Sequence, residues 1–160
     1  MDKMPILAVI FQGIPESIVL FSFGIAIIGE YINFKKVLLI SIVYTFLMMF
    51  VRSVVPIFGI HTVIALFIIA LIYWKVIGIE IKKSILITIL SVSTLILIET
   101  LMIPVIFNLF NTNYSQVLNN EIQRILYPLP VIMSFGLITF IIYKFNWSLI
   151  KGNRTKLNDI

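Results

Sequence analysis

The stretch from Ser84 to Phe110, SILITILSVSTLILIETLMIPVIFNLF, decides the fold class of this chain. Its one charged side chain is Glu99. At ~1.5 Å of rise per residue, a helix of this length exceeds the ~30 Å of hydrocarbon in a bilayer. Such a run predicts a transmembrane helix, and four further apolar runs precede or follow it. We therefore expect an all-α integral membrane protein, a bundle of about five transmembrane helices.

Composition excludes several other classes. The chain has 160 residues, of which 61% are hydrophobic, and a soluble domain of this size could not bury so much apolar surface. It has no cysteine and one histidine, so we expect no metal site and no cofactor. The net charge of +5 comes from basic residues at the ends of apolar runs, which indicates lipid headgroups as partners and no nucleic acid.

The apolar runs predict one helical bundle over residues 1–148 and a short basic cytoplasmic tail at 149–160. The spans are expected at about 5–28, 37–56, 62–79, 84–110 and 126–147. The link between the second and third spans is so short that a re-entrant hairpin is the alternative to two full crossings. Apolar residues among polar ones from 117 to 126 indicate either a short interfacial helix or an ordinary loop.

The basic residues predict the orientation. Nine of them lie at or after the ends of the first, third and fifth spans, whereas the opposite side carries only Lys3 and Arg124 outside the spans. The positive-inside rule then places the N-terminus outside and the C-terminus in the cytoplasm. Abundant Ile, Asn, Lys and Phe are typical of AT-rich genomes, so we expect a multi-pass protein of a bacterial cell membrane.

Four ionisable residues lie in or beside the predicted spans: Glu16, Arg52, His61 and Glu99. Helical rise places both glutamates roughly 16 Å from the outer surface, with Arg52 shallower and His61 at the rim. Charged groups at such depths are rare and typically functional, so they predict an outward-facing polar site. The alternatives are polar pairs that only hold helices together, or an arginine that reaches outward to phosphates.

Three prolines, Pro15, Pro56 and Pro104, lie in the same outer half and are predicted to kink their helices. Kinks leave carbonyl groups free and open cavities in which polar groups can be solvated. The simpler interpretation is that prolines are common in membrane helices.

No catalytic arrangement is evident. Ser17, Ser22 and Ser53 stand alone in apolar surroundings and are expected to bond to carbonyls of their own helices. There is no glycine-rich phosphate loop, and nothing in the sequence pairs a nucleophile with a base. We therefore expect a non-catalytic protein.

Three short stretches resemble a known family: Gln12–Glu16 (QGIPE), Arg52–Thr62 (RSVVPIFGIHT) and Ile98-Glu99. Together they resemble the membrane input region of Gram-positive sensor histidine kinases of the quorum-sensing and sporulation type. The resemblance covers about two thirds of the chain and implies a sensor role, with Glu16, Arg52, His61 and Glu99 as the family's polar positions. No dimerisation helix, phospho-accepting histidine or ATP-binding domain follows the fifth span, which departs from that pattern.

Three functions remain open from sequence. The first is a signal-sensing or regulatory module that passes ligand binding to a separate kinase-type or ATPase protein at the cytoplasmic face. The second is a substrate-capturing membrane subunit of a small-molecule transporter, and the third is a structural assembly factor. Each is compatible with a homo-oligomer.

Overall fold

The computed structural model describes residues 7, 9–55, 59–112, 117, 121–145 and 147–148, and in these ranges every regular element is helical. The prediction of an all-α protein is therefore confirmed. The elements are α1 (Ile14–Ile27), preceded by a π-helical turn at Val9–Gly13; α2 (Phe34–Val54); α3 (Ile60–Leu71), continued by a π-helical turn at Ile72–Ile77; α4 (Ile81–Leu109); α5 (Glu121–Leu126); and α6 (Leu129–Phe145).

Four helical segments are long and apolar enough to cross a membrane, as a multi-pass membrane protein requires. They are Val9–Ile27, Phe34–Val54, Ile60–Ile77 and Ile81–Leu109. The last long helix, α6, is apolar but has 17 residues, a length of about 26 Å. A fifth full crossing therefore stays a prediction. The exterior of the helical bundle is rich in large apolar side chains such as Leu109 and Met133, which are 74% and 69% exposed. Such a surface suits contact with lipid.

The helix boundaries differ from the predicted ones by a few residues, for local reasons. Helix α2 begins at Phe34 because the Asn33 side chain accepts a hydrogen bond from the Lys36 backbone N–H at 3.3 Å. Its two lysines therefore lie in the first helical turn instead of in the loop. The third span ends at Gly78, whose φ of 88° suits glycine and stops the helix.

Helix α1 is the centre of the bundle. It packs against α2, α4 and α6, and of the four long segments its span is the most buried inside the protein. Aromatic rings surround it: Phe21 lies edge-on to Tyr44 and Tyr73, with ring centroids 5.4 and 5.6 Å away. Phe23 packs on Phe135 of α6 at 4.8 Å. Movement of α1 must therefore displace packed neighbours on three sides.

Helix α1 also lies very close to the π-helical turn of the third span. Tyr73 is fully buried there, and its hydroxyl donates to the carbonyl oxygen of Leu20 at 3.1 Å, with Phe21 O at 3.4 Å. The phenol ring lies directly over Gly24. A Cβ added at Gly24 would collide with the Tyr73 hydroxyl and lie 2.6 Å from Ile87 Cγ2. Only glycine lets Tyr73 reach α1 in this way.

The loop between α1 and α2, the start of α4 and the end of α6 lie together at one end of the bundle. We call it the basic end, because each of these segments carries or adjoins lysine residues. The loop after α1 reaches the first turn of α4, where burial raises the pKa of Glu30 above its ordinary value while nearby Lys83 opposes the rise. Lys83 Nζ also lies 3.3 Å from Glu80 Oε2. The same loop touches the residues after α6, since a Cβ at Gly29 would lie 3.0 Å from Ser148 Cβ. The tail at 149–160 lies outside the described residues.

Candidate intramembrane polar site

The predicted site residues lie on four different helices. Glu16 is in the first turn of α1 and Glu99 is in α4, directly after the buried Ile98, and both carboxyl side chains are half-buried. Arg52 is in the last turn of α2 and is exposed at the surface of the protein. His61 is in the first turn of α3 and is half-buried.

Three of these residues interact electrostatically. The charge of Arg52 acts on the carboxyl groups of both Glu16 and Glu99, and the charge of Glu99 acts on Glu16. The Tyr44 hydroxyl on α2 is near enough to interact with Glu16 and Arg52 as well. We call Glu16, Tyr44, Arg52 and Glu99 the polar cluster. It unites α1, α2 and α4, and His61 stays a predicted member.

The start of α1, which carries Glu16, is joined to α2 by a set of hydrogen bonds that we call the hydroxyl seam, formed by Gly13, Ser17, Ser41 and Thr45. Ser17 Oγ lies 2.8 Å from Thr45 Oγ1 and 2.6 Å from the carbonyl oxygen of Gly13. Thr45 Oγ1 also lies 2.7 Å from the Ser41 carbonyl oxygen and 3.2 Å from that of Gly13. Because Ser17 directly follows Glu16, the seam fixes the backbone beside Glu16 relative to α2.

The seam depends on small residues at four-residue spacing. Gly13 and Ser17 face Ser41 and Thr45, so the two helices present a small residue one turn apart on each side. A Cβ at Gly13 would lie only 2.8 Å from Thr45 Cγ2. Membrane helices use this arrangement to approach closely, since lipid provides no hydrophobic drive for their association.

The three predicted kink prolines differ in their position within the helices. Pro15 lies two residues after the π-helical turn Val9–Gly13, in the first turn of α1. Its missing N–H and this rare turn type together make the backbone before Glu16 irregular. Helix α4 runs through Pro104 to Leu109, and Pro104 leaves the carbonyl of Thr100, the neighbour of Glu99, without its i+4 donor. Pro56 lies outside the described residues, and the predicted kinks stay predictions.

The sequence did not identify Tyr44 as part of the site, and it predicted only one of the two interactions of Ser17. Tyr44 lies two helical turns before Arg52, a spacing that places both side chains on one face of α2 and could have identified it. Ser17 does bond to carbonyls of its own helix, as predicted, but it also contacts Thr45 across the interface. Ser53 bonds locally to the Phe50 carbonyl at 2.7 Å, in agreement with the prediction.

The cluster combines two carboxyl groups with one guanidinium. Arginine stays charged in proteins, and a charged group held away from water needs a partner of opposite sign. One guanidinium balances one carboxylate, so the second carboxyl requires a proton or another cation. Such an arrangement suits recognition of a polar or charged molecule. Within the described residues, no group of three His, Asp and Glu side chains could hold a metal ion.

No protein-family model matches the chain, and the searches of curated proteins and of solved structures returned no match either.

Proposed function

We propose that this chain is a non-catalytic signal-sensing or regulatory module of a bacterial cell membrane. The observation that carries the proposal is the convergence of Glu16, Arg52 and Glu99 from three helices. Charge is costly in lipid, and bringing three ionisable groups together on separate helices is typical of a ligand or ion site. The same convergence would also hold the helices together, so the test must separate binding from stability.

The polar cluster and the basic end lie at opposite ends of α2. Lys36 is in the first turn of this helix and Arg52 is in its last turn. At ~1.5 Å per residue the two positions are about 24 Å apart. The positive-inside rule places the basic end in the cytoplasm and the cluster toward the outer face. A ligand from outside would then reach the cluster, and a separate cytoplasmic partner would meet the basic end.

Helix α1 connects the two ends. It carries Glu16 near one end and contacts Tyr73 at Leu20, closer to the other. A ligand that replaces Arg52 as the partner of one carboxylate would favour a different position of α1 against α2 and α4. Such a ligand shifts the equilibrium only if it binds one arrangement more tightly than the other. The spare carboxyl favours a ligand that brings a positive charge, such as an amine.

The test is partner recovery from native membranes with the full chain. We expect a cytoplasmic or membrane partner, of the kinase or ATPase kind, to copurify with the wild-type protein. Glu16→Gln and Glu99→Gln should change the recovery or activity of that partner while the protein still inserts and stays folded. Glu121→Gln is the matched control, because Glu121 begins α5, between α4 and α6, and belongs to neither the polar cluster nor the basic end.

Three results would overturn the proposal. A protein recovered without any partner from its own membranes would remove the signalling role. Uptake of a solute into proteoliposomes that depends on Glu16 and Glu99 would establish transport instead. Wild-type function in cells of a chain carrying Glu16→Gln, Arg52→Gln and Glu99→Gln would leave only a structural role for the cluster.

A further inference from the structure

A groove of about 250 Å³ opens on the side of the bundle between α1 and α6, close to the basic end. Its walls are mostly apolar, with Ile18 and Val19 of α1 on one side and Gly136 and Phe140 of α6 on the other. Two hydroxyl side chains, Ser22 and Thr139, also line it. Thr139 is internally satisfied, because its hydroxyl donates to the Phe135 carbonyl at 2.8 Å. The groove is therefore an apolar slot and is separate from the polar cluster.

Positively charged side chains lie at the mouth of this groove. Phe34, Phe140 and Tyr143 line the end nearest the basic end. Lys144 Nζ lies 5.9 Å from the centroid of the Phe140 ring, which places the ammonium group beside one of the side chains that line the groove. Lys35 directly follows Phe34 at the start of α2 and is exposed. The groove is thus apolar along its length and cationic at its rim.

We infer that this groove binds one anionic phospholipid, with an acyl chain between α1 and α6 and the phosphate group at Lys144. The chemistry follows from the two parts of the slot. Apolar walls that face the bilayer match hydrocarbon, and ammonium groups at headgroup depth match a phosphate. Tyr143 suits this boundary, since tyrosine presents an apolar ring to the chain and a hydroxyl to the headgroup.

The inference does not depend on the proposed sensing role. Ile18 and Val19 line the groove from α1, the helix that carries Glu16, so a bound lipid would also brace the central helix. Each basic side chain near an anionic surface contributes ~1 kcal/mol, equivalent to about fivefold in binding. Selective binding of an anionic over a zwitterionic lipid should therefore be measurable.

The test uses the full chain in nanodiscs that contain equal amounts of phosphatidylglycerol and phosphatidylcholine, with retained lipid counted by native mass spectrometry. We expect the wild-type protein to retain one phosphatidylglycerol at least about fivefold in excess over phosphatidylcholine. Lys144→Gln should reduce this excess about fivefold. Its matched control is Lys75→Gln, another lysine near the basic end, whose Nζ stacks 3.9 Å from the Trp74 ring centroid and not on the groove.

A second variant separates the groove from general surface charge. Ser22→Leu places a larger side chain in the slot and should abolish retention of the lipid. Ser93→Leu, at an exposed position of α4, is its control and should retain the lipid as the wild type does. Equal retention of both lipids by the wild type would overturn the inference. So would equal losses in Lys144→Gln and Lys75→Gln, or normal retention in Ser22→Leu.

Discussion

The contact between Gly24 and Tyr73 predicts a large effect from a single methyl group. In Gly24→Ala the new Cβ would lie 2.5 Å from Tyr73 Cζ and 2.6 Å from Ile87 Cγ2, so the phenol ring must move. Overpacking of a filled core costs about 1–3 kcal/mol, and losing the hydrogen bond to Leu20 adds about 1 kcal/mol. Alanine regains about 0.5–1 kcal/mol in a helix relative to glycine. We expect a net destabilisation of about 1–3 kcal/mol.

The measurement is the free energy of unfolding in mixed micelles, followed by circular dichroism during titration with a denaturing detergent. Gly136→Ala is the matched control, because its Cβ would lie 3.7 Å from Val19 Cγ2, an ordinary contact. That control should be neutral or slightly stabilising. Tyr73→Phe combined with Gly24→Ala should recover part of the loss, since it removes the hydroxyl that clashes. The reasoning is refuted if Gly24→Ala is as stable as Gly136→Ala.

Three further predictions address the polar cluster, the hydroxyl seam and the basic end. Arg52→Glu should strongly reduce folded yield, and Glu16→Arg should partly rescue it; a double-mutant cycle in membranes with no coupling between the two would contradict their pairing. Thr45→Val should cost about 1–2 kcal/mol by breaking the seam, whereas exposed Thr100→Val should cost less in the same unfolding assay. Burial raises the pKa of Glu30, so the folded state holds that proton more tightly than the unfolded state, and stability falls as pH rises above about 4.5. Glu30→Gln should remove that loss, so the variant should be more stable than the wild type at pH 7 and equally stable at pH 4 in the same unfolding assay.

The helices were predictable because the bilayer imposes their length and composition. An apolar run such as Ser84–Phe110 has few other structures open to it. The boundaries shifted where local chemistry decides, as at Asn33, whose side chain caps α2 and draws two lysines into the helix. The π-helical turns at Val9–Gly13 and Ile72–Ile77 were not predicted, since hydropathy carries no information on how backbone hydrogen bonds are spaced.

The depth of each polar residue in the membrane could be predicted by counting residues from the end of its span. The side of the helix on which it meets its neighbours could not be predicted in this way. Counting residues placed Glu16 and Glu99 at one depth, and only the packed structure shows that the charge of Arg52 acts on both of them. Ser17 was expected to bond only to carbonyls of its own helix, because the sequence shows only which residues are neighbours along the chain. Its partner Thr45 is 28 residues away, and the bond depends on the close approach that Gly13 allows.

The unequal lengths of α4 and α6 have a consequence for the surrounding lipid. With 29 residues, α4 is about 44 Å long, whereas α6 with 17 residues is about 26 Å long. No single flat hydrocarbon slab of ~30 Å matches both helices. The longer helix must tilt or project into the headgroups, and a full crossing by α6 would require the bilayer to thin beside it. This hydrophobic mismatch makes the energy of the bundle depend on acyl chain length, so thinner and thicker membranes would favour different tilts of α4.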